Sequence, residues 1–141
     1  MRQFFILPAC CVLLACANQR NLSASGAADK FISTASGLKY RILQAGSGTQ
    51  AAAGNEVLIR ETTSYLNGTV LYSNENSGSP VKVLIGGNQA TNAVDEGLRG
   101  MREGEIRQLI APSDLVKRTS YPSNVSADSA LVIKIILTKI V

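Results

Sequence analysis

The 141-residue sequence predicts an α+β fold, five or six antiparallel strands forming a half-barrel around one amphipathic helix. Three observations carry this. From Leu38 onward, segments alternate apolar and polar residues with period two and are punctuated by glycine turns. One stretch, NQATNAVDEGLRGM, instead spaces its apolar residues by three and four. The last segment, ALVIKIILTKIV, is apolar almost throughout, as a strand at or near the centre of a sheet is.

Taken in order, SGLKYRILQAGSG sets Leu38, Tyr40 and Ile42 against Lys39 and Arg41, then turns on Gly46-Ser47-Gly48. A second strand runs from Val57 to Tyr65 and reaches Asn67-Gly68, a strong hairpin signal. A short strand follows at Val70–Ser73, and NENSGSP is a loop by composition. In VKVLIGG the residues Val81, Val83 and Ile85 point one way. The helix has Thr91 or Asn92 as its cap, with Asp95 and Glu96 near its positive end. Ala90, Val94, Leu98 and Met101 form its apolar stripe, and Gly100 supplies a left-handed stop. Gly104 opens the strand EIRQLIAP, which ends at Pro112 before a long loop over residues 113–129. No internal repeat is visible, and roughly 105 residues suffice for a core of this kind.

The beginning of the chain reads differently. MRQFFILPACCVLLAC has one early charge, Arg2, then apolar residues from Phe4 to Ala15. That run is shorter than the roughly 20 residues a membrane span needs, and it matches the apolar region of a secretory signal. Leu13-Leu14-Ala15-Cys16 resembles the bacterial lipobox, in which a cysteine thiol accepts a thioether-linked glyceride and becomes the new N-terminus. Two or three acyl chains, at about 0.8 kcal/mol per buried methylene, give stable anchoring. The alternative is an ordinary cleaved signal that contains cysteines. The organisation expected is a signal peptide over 1–15, an acylated Cys16 and flexible tether over 16–34, and one domain over 35–141. Ala17 after Cys16 implies, by resemblance to enterobacterial sorting, the outer membrane, with the domain in the periplasm.

Composition excludes several chemistries. All three cysteines, Cys10, Cys11 and Cys16, lie in the signal region, and histidine is absent from the chain. The body therefore has no disulfide framework, thiolate metal site or histidine-based triad, and no metal or organic cofactor is implied. The net charge of +4 comes from residues scattered along the sequence without a basic run, so nucleic-acid binding is not indicated.

SGLKYRILQAGSG, YLNGTVLYS, PVKVLIG, DEGLRGMREGEIRQLIAP and ALVIKIIL, in this order and spacing, resemble the FKBP-type peptidyl-prolyl isomerases. The opening segment is most similar to the periplasmic, macrophage-infectivity-potentiator-like branch. The resemblance covers about Ser36 to Val141 and implies an FKBP-like half-barrel. Glu96-Gly97-Leu98, Met101, Gly104-Glu105 and Pro112 are the frame that sets the family's helix over its sheet. The helical dimerisation segment of some relatives has no counterpart, which implies a monomer.

The resemblance also implies a pocket, whose positions here carry different residues. Family enzymes line a cup with a floor tryptophan, surrounding tyrosines and phenylalanines, and a sheet aspartate. This chain has no tryptophan. The floor position falls on Val94, and the wall phenylalanines on Leu71, Val81 and Ile133. The Val-Ile pair before the helix falls on Ala90-Thr91, and the loop tyrosine on Lys117, with Arg118 where glycine is usual. The strand tyrosine falls on Glu61 and the aspartate on Tyr72. The two types are exchanged, which suggests a carboxylate–phenol pair in reversed order with Lys117 available to neutralise Glu61. Two unrelated surface residues are the alternative.

Three functions follow from these residues. The first is a lipid-anchored envelope protein with weak or lost isomerase activity, binding polypeptide segments or an envelope protein as a chaperone-like module. The second is a working isomerase with an aliphatic pocket. The third is a structural lipoprotein whose useful surface lies elsewhere.

Overall fold

The computed structural model describes residues 30–141. The expected signal peptide over 1–15, the expected acylation site at Cys16 and most of the expected tether lie outside these residues.

Seven strands form one antiparallel sheet: β1 (Ile32–Ser33), β2 (Lys39–Gln44), β3 (Glu56–Tyr65), β4 (Val70–Ser73), β5 (Val81–Leu84), β6 (Ile106–Ala111) and β7 (Leu131–Ile140). Their order across the sheet is β1-β2-β6-β7-β3-β4, with β5 also paired to β3. β7 thus lies between β6 and β3, where its apolar character places it. β1 is one strand more than the sequence predicts, and it falls in the range assigned to the tether. Its two residues are too few to show an alternation. Pairing of Ile32 with Tyr40 and Ser33 with Lys39, on the free edge of β2, is what makes them a strand.

The helix α1 (Asn92–Leu98) is shorter than its apolar stripe. Val94, Leu98 and Met101 are buried all the same, together with Ala93, against Ile59, Leu109, Ile135 and Leu137 of the sheet. Gly97 explains how closely helix and sheet approach: a Cβ there would stand 2.5 Å from Cδ1 of Leu109. Gly100 and Gly104 both have φ of +80°, which side-chain-bearing residues rarely adopt. Those two turns return the chain from the helix to β6, where the Gly104 N–H donates to the carbonyl of Leu137.

Capping differs from expectation. Thr91 occupies the N-cap position, but its hydroxyl makes no capping hydrogen bond. Asp95 instead accepts a hydrogen bond from the Gly86 N–H at 2.6 Å and pairs with Arg99 at 2.8 Å. The turn before the helix is thereby tied to the helix's own first turn.

Candidate functional site

A hollow of about 520 Å³ opens where the first turn of α1 meets the inner face of the sheet. Ile59 and Glu61 of β3 and Val81 and Val83 of β5 form one wall, and Tyr72 of β4 stands beside them. The turn Asn88–Ala90, the helix start at Thr91, Asn92 and Val94, and the loop residues Lys117–Thr119 complete it. A second hollow of about 350 Å³ adjoins it, sharing Glu61, Tyr72 and Arg118 and adding Thr63, Leu71, Pro122, Asn124, Val125 and Leu131.

The positions drawn from sequence fall unevenly on this geometry. Glu61, Tyr72, Val81, Ala90, Thr91, Val94 and Lys117 line the larger hollow. Leu71 lines the smaller one, on the far side of Tyr72. Ile133 lines neither; it is 2% exposed, between Leu109 and Thr63 on the neighbouring strands, and serves the core. Sequence reasoning missed Ile59 and Val83. The signal was present, since each is two residues from a residue that it found and so shares its face. Asn88 and Gln89 carried no such signal, because a turn's fold determines which side chains border the hollow.

Chemically, the lining is aliphatic and polar. Tyr72 is the one aromatic side chain on either hollow among the described residues, and it is 47% exposed at the rim. Tyr65 is withdrawn from the site: its hydroxyl donates to the Asn124 carbonyl and accepts from the Ser126 N–H, both at 2.9 Å. With Asn124 Nδ2 donating to the Leu71 carbonyl at 3.2 Å, it fixes the long loop against the β3–β4 hairpin. The Tyr121 hydroxyl accepts from the Arg118 N–H at 3.3 Å and so braces the loop segment at the mouth.

Glu61 is half-buried, and burial pushes its carboxyl above the usual carboxylate value, an effect the positive charge of Arg118 partly offsets. Lys117 and Arg118 both border the hollow with Glu61, and it is the charge of Arg118, not that of Lys117 as the sequence suggested, that acts on the carboxyl. Glu61 and Tyr72 share the wall of both hollows, yet no hydrogen bond joins their side chains. The reversed carboxylate–phenol pair is not formed. Thr63, not Glu61, is the direct neighbour of Tyr72 across the ladder, and Asn74 takes both backbone groups of Glu61. At the opposite wall, Oγ1 of Thr91 is buried without a hydrogen-bond partner. A buried hydroxyl left unpaired costs about 1–3 kcal/mol.

The frame beneath the site rests on a buried ion pair. Arg107 on β6 turns inward, its guanidinium 2.6 Å from the Glu105 carboxylate. It also donates to the carbonyls of Gly97 and Arg99 at the end of α1 and lies over the Tyr40 ring. Among the described residues no group of three or more metal-ligating side chains is assembled.

Comparison with known proteins places this geometry. The sequence profile of the FKBP-type peptidyl-prolyl cis-trans isomerases matches residues 47–138. The chain is 35% identical over 79 residues to the FK506-binding protein of Neisseria meningitidis, covering 56% of this chain and 72% of that protein. It is 32% identical over 83 residues to the peptidyl-prolyl cis-trans isomerase Mip of Chlamydia muridarum, covering 59% of this chain but only 33% of that longer protein. The fold superposes on the crystal structure of FkpA from Escherichia coli with a TM-score of 0.70 at 20% identity, over 79% of this chain and 52% of that one. It superposes on AtFKBP13 with a TM-score of 0.69 at 22% identity, over 79% of this chain and 99% of that one.

Proposed function

Because the chain belongs to the FKBP-type peptidyl-prolyl cis-trans isomerase family, we propose that it is a lipid-anchored protein of the bacterial envelope whose cleft binds polypeptide but has lost efficient prolyl isomerisation. One observation carries this reading: the hollow at the helix start is lined by Ile59, Val81, Val83 and Val94 with charged residues at its mouth, and holds no ring except that of Tyr72 at the rim.

Rotation about an X-Pro bond is slow because amide resonance must be broken, at a barrier of about 18–20 kcal/mol. A catalyst lowers it by holding the twisted, less polar amide better than the planar one, in a site that excludes water. Ring surface does this well. Each aromatic replaced by a smaller aliphatic removes about 1–3 kcal/mol of apolar contact, and about 1.4 kcal/mol is a factor of ten in rate. Replacement of several corresponds to a loss of two orders of magnitude or more. Glu61 and Arg118, meeting at the junction of the two hollows, further resist desolvation of a bound imide.

What remains suits binding. The two hollows adjoin at Glu61, Tyr72 and Arg118 and suit a polypeptide with an apolar side chain over Val94 and an acidic one toward Lys117 and Arg118. The envelope location and the acyl anchor at Cys16 rest on the signal and lipobox in the sequence, and bacterial relatives fit them.

The aliphatic floor also supports a second reading, a working isomerase with an aliphatic pocket. A protease-coupled isomerisation assay on short Leu-Pro and Phe-Pro peptides separates the two. Binding of FK506, for which the Neisseria relative is named, tests the same point independently: a cleft without its rings is expected not to retain that macrolide.

A further inference from the structure

We propose that the outer face of the sheet, opposite the cleft, is a docking surface for anionic lipid headgroups. The face is formed by the alternate residues of β2, β6, β7 and β3 that point away from α1. On a sheet solvated on one side these positions are usually polar. Here the two central strands carry cross-strand aliphatic pairs, Ile106 with Ile136 and Ile110 with Val132. All are half-buried, and among the described residues no helix or further strand covers them.

The charge on this face is one-sided. Lys39 is paired beside Ile110, Lys134 lies between the two aliphatic pairs, and Lys139 neighbours Leu58. The carboxylates that approach from the same side, Glu56 and Glu75, are bonded to Lys82 and Lys134, each at 2.9 Å, so Lys134 is itself neutralised and the surplus positive charge is that of Lys39 and Lys139. Basic residues scattered in sequence are thus gathered by strand register.

That chemistry selects the occupant. A second copy seated face to face would set Lys39 and Lys139 against like charges. A nucleic acid would leave the isoleucines without a role. At a membrane surface, aliphatic side chains sink into the headgroup boundary while lysines meet lipid phosphates, at about 1 kcal/mol per basic residue. The chain's course agrees. The Phe31 ring lies 4.9 Å from the guanidinium of Arg41, which itself bonds to Gln108 on this face. Phe31, near the first described residue, therefore stands at the edge of the face. Cys16 is fourteen residues before Lys30, at most about 50 Å even fully extended. The inference rests on the anchor reading for its membrane, and its test separates the two.

The full acylated chain is reconstituted in vesicles of phosphatidylcholine with three-tenths phosphatidylglycerol, and lysine acetylation is followed by mass spectrometry. Lys39 and Lys139 are expected to be labelled at least threefold more slowly than on pure phosphatidylcholine, with Lys117 at the cleft unchanged. Equal rates on the two lipids overturn the proposal. The chain has no tryptophan, so Ile110→Trp and Thr119→Trp give single reporters for brominated lipids. Quenching at position 110 should exceed that at 119 at least twofold. A blue-shifted emission at 110 that needs no lipid overturns it too, in favour of a second copy if it depends on concentration and of the chain's own first residues if it does not. Intact mass of the chain from bacterial membranes tests the anchor separately. Without a diacylglyceryl adduct the anchor reading fails, and the unacylated full chain, added to the same vesicles, must show the same lysine protection or the docking face fails as well.

Discussion

The guanidinium of Arg107 lies 2.6 Å from the carboxylate of Glu105, and both side chains are buried beneath the end of the helix. Arg107 reaches on to the carbonyls of Gly97 and Arg99, while the second oxygen of Glu105 accepts the Arg102 N–H at 3.1 Å. One pair thus closes both turns around Gly100 and Gly104 and holds α1 over the sheet. This frame and the aliphatic and polar lining of the cleft are separate parts of the molecule, and the following tests address the two separately.

Arg107→Met should destabilise the fold by about 3–5 kcal/mol, because it leaves the Glu105 carboxylate buried without a partner. Arg107→Lys should also destabilise, since a single ammonium cannot serve the carboxylate and two carbonyls together. Chemical denaturation measures both; a loss below 1 kcal/mol for the methionine variant would show that the pair is dispensable.

Gly97→Ala sets a helix-propensity gain of about 1 kcal/mol against the 2.5 Å approach to Leu109. Overpacking costs about 1–3 kcal/mol, so a net loss is expected. The cost should shrink in a Leu109→Val background, which removes bulk from the contact. Additive losses in the double variant would place the strain elsewhere.

Thr91→Val is expected to be neutral or to stabilise by up to about 1 kcal/mol, because the hydroxyl it removes caps nothing and is buried unpaired. At a helix start capped by its threonine the same kind of change costs about 1 kcal/mol. Thermal unfolding decides the sign.

Glu61 and Glu75 should give opposite pH dependences. Glu61 is held above the ordinary carboxylate value of 4.5 by burial, with Arg118 working against it. Its folded form prefers the proton, so the stability tied to it is greatest below 4.5 and is lost as pH rises through the folded value. Glu61→Gln should therefore stabilise the protein at pH 7, with the gain closing below 4.5. Glu75 is held below 4.5, chiefly by its hydrogen bond with Lys134. Its contribution is present above 4.5 and is lost as pH falls through the folded value, so Glu75→Gln should destabilise at pH 7 and converge with the parent in acid. Parallel curves for the two variants would contradict both assignments.

Much of the fold was legible in the sequence because periodicity reports burial. The apolar run from Leu131 marked a central strand, and Val94, Leu98 and Met101 marked the helix face that is buried. β6 shows where periodicity misleads. Its inward positions are Arg107, Leu109 and Ala111, with Glu105 buried just before the strand, while Ile106 and Ile110 point outward. A buried ion pair and an aliphatic outer face together invert the usual pattern. The basic residues escaped notice for a related reason, since only the register of four strands brings Lys39, Lys134 and Lys139 onto one side. In the cleft, strand positions could be followed by counting in twos. Asn88, which has a φ of +61°, and the loop at Arg118 could not, because their placement depends on turns.

The most direct measurement is the protease-coupled isomerisation rate of the purified chain on a Leu-Pro peptide, beside the FK506-binding protein of Neisseria meningitidis. An aliphatic hollow predicts a kcat/KM at least a hundredfold below that relative, rising at least tenfold when Val94→Trp returns a ring to the floor. A rate for the unaltered chain within tenfold of the relative would contradict the account.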